Sequence, residues 1–242
     1  MRKYITLKLH GALLELPSSV PVIEHSFITA ASIKDVMESH DIPHTEVGKI
    51  ESGGEKIPFS EIVKPGSTYF LFPYLFSDLI NSGEAFTIKF ILDVQLGKLA
   101  RWMRMLGFDT DYDKDITGME LITQAIGQKR FILTRDMDLL KRKIVNTGYW
   151  VRSTDPDEQI KEIISRFNIT NQIHPLIRCL NCNCKIEPIA RDKISDRLLP
   201  QTKEHFNEFY YCSGCEKIYW KGSHYQNMLK IIEDLESGFH RI

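Results

Sequence analysis

The chain has 242 residues, a formal net charge of −1, 43% hydrophobic and 26% charged residues, and a mean hydropathy of −0.22. That balance belongs to a globular protein of two or three domains, and it excludes a disordered or collagen-like chain. The longest aromatic-aliphatic stretch, Tyr69 to Phe76, is eight residues with Pro73 inside it, far short of the roughly 20 that a membrane-spanning helix needs.

The first block, residues 1–76, reads as strands around one helix. YITLKLH alternates with period two, Gly11 punctuates it and LLEL resumes, which predicts a hairpin. Ser32 is an N-cap and Asp35 completes a capping-box pair for the helix SIKDVMESH, which ends before Pro43. KIESGGEKI turns at a Gly-Gly pair, and PGSTYFLFP supplies a last strand behind a Pro-Gly turn. This order is a β-grasp pattern and is similar to the ubiquitin-like domains of small sulfur carriers. Those carriers end in a free Gly-Gly tail, whereas this block ends FLFPYLF and runs on. Carrier chemistry is therefore excluded, and docking of a protein partner is the expected role. A polar linker, SDLINSGEA, follows.

The second block, residues 86–172, alternates strand and helix. IKFILD is a buried strand ending in Asp93, and QLGKLARWMRMLG is a helix that Gly107 stops. After a short acidic stretch come the helix MELITQAIGQK, the strand RFILT, RDMD with the basic helix LLKRK, the strand YWVRST and the helix DPDEQIKEIISRF. Such alternation implies a doubly wound parallel α/β sheet. The third block, residues 174–242, holds all five cysteines and ends in a predicted helix, SHYQNMLKIIEDLE.

Ligands of open α/β sheets bind beyond the carboxyl ends of the strands. Asp93 and Asp136 fall there, with Asp138 two residues on and Glu120 at the start of the intervening helix. Carboxylates that converge on one edge repel unless a hard cation is shared. Mg²⁺ or Mn²⁺ in such a site activates water and stabilises a phosphodiester leaving group. Spacing leaves a second reading open, in which the acids are helix caps. There is no GxxxxGK[ST] and no GxGxxG. The run Asp109, Asp111, Asp113, Asp115 with Glu120 imitates a calcium loop, but Lys114 stands where that loop needs glycine.

Charge is uneven. Residues 1–85 carry 7 basic against 11 acidic side chains, residues 86–177 carry 14 against 12, and residues 178–242 carry 10 against 9. A nucleic acid would bind the last two thirds. Lys98, Arg101, Arg104, Arg135, Lys141, Arg142 and Lys143 would surround the acidic edge as phosphate contacts, unless they are merely solvated faces.

Cys179-x-x-Cys182 and Cys212-x-x-Cys215 form two knuckles separated by 29 residues. Four thiolates suit tetrahedral structural zinc with no open position for catalysis. Cys184 is the spare thiol unless it exchanges with Cys182. Phe206, Phe209, Tyr210, Tyr211, Tyr219 and Trp220 interleave with Lys217, Lys221 and His224. That mixture suits either base stacking, with Trp220, Lys221 and His224 as nucleic-acid contacts, or a small aromatic core. The start MRKYITLKLH lacks the apolar run of a signal peptide, and a cytoplasmic protein is expected.

FILDVQLGKLARWMRMLGFDT, ELI, FILTRDMDLL, RCLNC and FYYCSGCEKIYWKGSHY together resemble the Mut-seven C-terminal RNase family. That family joins a PIN-like nuclease fold to a C-terminal zinc ribbon, and some members carry an N-terminal ubiquitin-like domain. The resemblance implies an α+β ubiquitin-like β-grasp domain over 1–76, a PIN-like α/β sheet over 86–172 and a zinc ribbon with a C-terminal helix over 174–242. It puts the metal-binding acids on Asp93, Glu120, Asp136 and Asp138. The expected activity is metal-dependent hydrolysis of RNA phosphodiester bonds, with Mg²⁺ or Mn²⁺ in catalysis and zinc as a structural ion. The alternative is a non-catalytic adaptor that binds RNA through the ribbon and docks a protein through the β-grasp block.

Overall fold

The computed structural model describes residues 2–17, 19–76, 88–223, 225, 226, 229, 230, 232 and 233. The linker and His224 lie outside the described residues, as does part of the predicted C-terminal helix.

Strands β1 (Lys3–Leu9), β2 (Val22–Phe27), β3 (Val47–Ser52), β4 (Glu55–Lys56) and β5 (Thr68–Pro73) form one sheet in the order β2-β1-β5-β3-β4. β1 and β5 run parallel and the other pairs antiparallel, which is a β-grasp topology. Helix α1 (Ile33–Ser39) lays Ile33, Val36 and Met37 on Ile5, Leu7 and Leu71. Its start is fixed by the reciprocal Ser32–Asp35 capping box. LLEL departs from expectation: Gly11–Glu15 is a 3₁₀ turn, and the partner of β1 comes later, at Val22–Phe27. Pro17 and Pro21 flank the gap, and neither can donate to a sheet ladder.

The second sheet is wholly parallel, in the order β7-β6-β8-β9, built from β6 (Phe90–Leu92), β7 (Thr110–Tyr112), β8 (Phe131–Thr134) and β9 (Gly148–Trp150). Phe90, Leu92, Phe131 and Leu133 share one core with α2 (Gly97–Met105) and α5 (Pro156–Phe167). Ile91 and Ile132 point the other way, into α3 (Gly118–Gly127) and α4 (Met137–Lys141). Burial on both faces explains why FIL and FILT are continuous apolar runs and not alternating ones. β7 lies where only an acidic stretch was expected; it is an edge strand with Asp111 on it and needs no such run. Helix α2 closes in a Schellman turn, Phe108 N–H to Met103 and Gly107 N–H to Arg104, with Gly107 at φ +98°.

In the third block β10 (Glu187–Ile189), β11 (Phe209–Tyr211) and β12 (Ile218–Trp220) make an antiparallel sheet, with the short helix α6 (Pro200–His205) between β10 and β11. Beyond it, Tyr225, Leu229 and Ile232 pack back onto the α/β core. Among the described residues no helix is long and apolar enough to cross a membrane.

The blocks are tied by buried polar hubs. Glu46 of the first block is fully buried and accepts from the Trp150 N–H at 2.7 Å and from Arg152 at 2.8 and 3.0 Å. Phe76, at the end of the same block, stacks on Phe167 inside the α/β core. On the other side, Asp109 accepts from Arg130 (2.7 Å), Asn183 (2.8 Å) and Arg178 (3.0 Å), so one carboxylate joins the α/β sheet to the cysteine block.

Candidate functional site

The order β7-β6-β8-β9 fixes where a ligand can sit. The connection leaving β6 goes to β7 on one side, and the connection leaving β8 goes to β9 on the other. Open α/β sheets of this kind take their ligands at such a switch point, here beyond the carboxyl ends of β6 and β8. Asp93 follows β6, and Thr134 ends β8. The Thr134 hydroxyl donates to Asp93 Oδ2 at 2.7 Å and accepts the Asp136 N–H at 2.9 Å. Asp93 Oδ1 accepts the Val94 N–H at 2.7 Å. Asp136 caps α4 through Oδ1, which takes the Asp138 and Leu139 N–H groups; its Oδ2 has no hydrogen bond among the described residues. Sequence reasoning missed Thr134. Its signal was a polar residue closing an otherwise apolar strand.

The other two acids are held elsewhere. Glu120 is in a capping box with Thr117, whose N–H and hydroxyl bind Oε2 at 2.9 and 2.7 Å. Those bonds hold the Glu120 carboxyl below its ordinary range. Asp138 is exposed and pairs with Lys141 at 2.9 Å, which lowers its pKa through that bond and the nearby charge. Asp93, Glu120 and Asp136 thus all serve as caps. Among the described residues the four acids do not bring three oxygen donors within 4.8 Å of one another. Capping leaves free lone pairs on each carboxylate, and Mg²⁺ is commonly held by only one or two of them. Thr134 links the Asp93 carboxylate to the Asp136 backbone.

The predicted phosphate contacts separate sharply. Lys98 and Arg101 are exposed on α2 and have no ion-pair or hydrogen-bond partner among the described residues. Arg104 is buried: Nε donates to Thr110 O at 2.8 Å, and Nη1 to Asn181 O at 2.9 Å and Leu180 O at 3.3 Å. Its place on the buried face of α2 makes it a clamp between α/β sheet and cysteine block, which corrects its assignment as a phosphate contact. Arg135 Nη1 donates to the carbonyls of Val151, Arg152 and Ser153 at 2.6–2.9 Å, so it ties the loop after β9. Lys221 pairs with Glu208 at 2.5 Å. Trp220 is half-buried at the ribbon surface, and His224 lies outside the described residues.

The cysteines meet as spacing predicts. The sulfurs of Cys179, Cys182, Cys212 and Cys215 lie within 4.8 Å of one another, and among the described residues they are the group that could hold a metal. Each knuckle has the same wiring. The first cysteine's N–H reaches the carbonyl five residues on, Cys179 to Cys184 and Cys212 to Lys217. The residue after the second cysteine, Asn183 or Glu216, bonds back to the first cysteine's carbonyl. Both residues sit at positive φ, 62° and 59°, which lets the chain fold back over the sulfur. Tyr219 O–H contacts Cys179 Sγ at 3.0 Å and accepts the Leu180 N–H. Burial works to raise the Cys179 thiol, but bonds from Tyr219 and the Cys182 and Asn181 N–H groups outweigh it and bring it to about 6. Burial pushes Cys182 up to about 11 and raises Cys212 and Cys215. Thiols so crowded shed their protons together only to a shared cation, and the donor set fits Zn²⁺. Cys184 is exposed and outside the set.

The fold and site define a three-block protein: a ubiquitin-like domain, a doubly wound parallel α/β sheet with acids at its switch point, and a four-cysteine ribbon. The Mut7-C RNAse domain model matches residues 88–232, and the Mut7-C ubiquitin model matches residues 3–77. The first match alone covers more than half of the chain, and the chain belongs to the Mut7-C RNAse family. No curated protein and no solved structure matches it.

Proposed function

We propose that the chain is a metal-dependent ribonuclease that hydrolyses RNA phosphodiester bonds at the carboxyl edge of its PIN-like parallel sheet. The observation that carries this reading is the Asp93–Thr134–Asp136 link at the switch point of a Mut7-C RNAse domain. Asp93 and Asp136, with Asp138 beside them, are the residues that would hold Mg²⁺ or Mn²⁺, whose chemistry is to activate water and neutralise charge on the phosphate. Thr134 holds the Asp93 carboxylate in place, and Glu120 supports the edge as the cap of α3. Lys98 and Arg101 steer the RNA backbone, and Trp220, Lys221 and His224 of the ribbon grip the strand. Zinc on Cys179, Cys182, Cys212 and Cys215 folds the ribbon and takes no part in chemistry. The ubiquitin-like block, residues 1–76, serves to dock a protein. Five cysteines, none in a disulfide, suit a reducing compartment, and we assign the protein to the cytoplasm.

The capping bonds of Asp93, Glu120 and Asp136 favour a second reading, an RNA-binding adaptor without catalysis. One experiment separates the two. Protein freed of Mg²⁺ and Mn²⁺ but keeping its zinc is given a labelled mixed RNA pool, with Mn²⁺ or Mg²⁺ restored, beside Asp93→Ala. The nuclease reading expects metal-dependent cutting that falls by orders of magnitude in the variant while circular dichroism shows it still folded at the assay temperature. RNA bound but uncut by both proteins would transfer the assignment to the adaptor.

A further inference from the structure

The exposed face of α2 leads away from Asp93 toward the ribbon. Lys98, Arg101 and Met105, spaced three and four residues apart, share one stripe of the helix. That stripe runs about 10 Å at the helical rise per residue. Its two cations are the unpartnered ones noted above. Where the stripe ends, a groove of about 210 Å³ opens between α2 and the ribbon, lined by Arg101, Met105, Leu180, Tyr219, Trp220 and Gly222.

The walls of this groove are fixed from both sides. Tyr219 is held by Cys179 Sγ and the Leu180 N–H. The Leu180 and Asn181 carbonyls are clamped by the buried Arg104. Gly222 lies against the indole of Trp220: a Cβ there would sit 2.9 Å from Nε1. The ring thus faces a position that only glycine leaves clear, and its Nε1 has no hydrogen-bond partner among the described residues. The groove is smaller than the 300–1,000 Å³ typical of drug-sized ligands, and its lining combines the Tyr219 and Trp220 rings, the second packed on Phe206, an indole N–H without a partner and the Arg101 cation. Those three features suit a flat, hydrogen-bonding, anionically tethered group.

We infer that this groove is a single-base subsite: it takes one unpaired base of an RNA strand whose phosphates pass over Lys98 and Arg101 from the Asp93 edge. The inference rests on the ribonuclease reading for the identity of the strand, and it specifies single-stranded substrate. A base stacked in a duplex has both faces covered and cannot enter. Stacking on Trp220 is indifferent to sequence, because every base has a π-face.

The test uses the full chain carrying Asp93→Ala, with zinc bound, and fluorescein-labelled RNA followed by anisotropy. Single strands are expected to bind more tightly than a duplex of the same sequence. Trp220→Ala should weaken binding of the single strand roughly 5- to 150-fold, the range of one aromatic–base stack. Arg101→Glu, on an exposed position that folding does not need, should weaken it as well. An abasic site walked along the oligonucleotide should reproduce the Trp220→Ala loss at one position and add nothing further in that variant. Unchanged affinity in both variants, or abasic losses that are equal with and without Trp220, would overturn the inference, as would failure of the single strand to bind. Cleavage by the wild-type chain is scored separately. A nuclease whose RNA binding ignores Trp220 keeps the function and loses the subsite, whereas Trp220-dependent binding without cleavage does the reverse.

Discussion

Thr134→Val removes one hydroxyl and keeps the shape of the side chain, so it isolates the link between Asp93 and Asp136. Thr134 is 0% exposed. Its hydroxyl serves two neighbours at once, the Asp93 carboxylate at 2.7 Å and the Asp136 N–H at 2.9 Å. A hydrogen bond to a charged group contributes about 1.5–3 kcal/mol, and a buried group left without its partner costs about 1–3 kcal/mol. No cavity opens, so the expected loss of stability is about 3 kcal/mol. For a chain of this size that is a fall of roughly 6–12 °C in melting temperature, measured by circular dichroism. Thr134→Ser keeps both bonds and deletes a methyl group, which should cost only about 1 kcal/mol. In the RNA cleavage assay the valine variant should lose about 10- to 100-fold, as when a group that orients a metal ligand is removed, and serine should recover most of it. A valine variant that melts within about 2 °C of wild type, or that is less damaged than serine, would refute the role given to the hydroxyl.

Glu46→Ala leaves the buried guanidinium of Arg152 only the more distant carboxylate of Glu15 at 3.6 Å and should cost about 3 kcal/mol in urea unfolding; a double-mutant cycle with Arg152→Leu should be strongly non-additive, and additivity would deny the pair its bridging role. Chelation of zinc, or Cys212→Ser, should lower the melting temperature and release about one metal ion per chain by atomic absorption; unchanged melting after metal loss would contradict a folding role for the site. Burial raises the Asp109 carboxyl, but bonds from Arg130 and Asn183 and the charges of Arg130 and Arg178 outweigh it, leaving its pKa below the ordinary value. Its stability contribution is therefore present above the unfolded value of about 3.9 and lost as pH falls through the lower folded one. Asp109→Asn should reduce stability at neutral pH and flatten the acid limb of the stability–pH curve; an unaltered acid limb would count against it. Gly107→Ala places a Cβ 2.1 Å from the His174 carbonyl at φ +98°, and should cost more than about 1–3 kcal/mol, read as lost soluble yield and a lower melting temperature.

Much of this architecture was legible because it is written in local patterns. Both-faces-buried strands need continuous apolar runs, so FIL and FILT marked β6 and β8 directly. Capping boxes work over three residues, so Ser32–Asp35 was visible as a pair. Two CxxC knuckles carry their own ligand spacing, and the four sulfurs meet accordingly. What local pattern cannot convey is which side of an element faces protein. Arg101 and Arg104 are three residues apart on one helix, yet the first is exposed and the second holds two blocks together. The sequence offers both as cations, and only the packing of α2 against the first knuckle decides between them. The same holds for β7, whose acids reveal nothing of its place at a sheet edge, and for Glu46, whose partner lies 106 residues away. Short-range chemistry thus determined the blocks, the caps and the four-cysteine cluster. Long-range burial decided which charges became structure and which stayed free for a ligand, because a buried charge must find its partner wherever the fold places one.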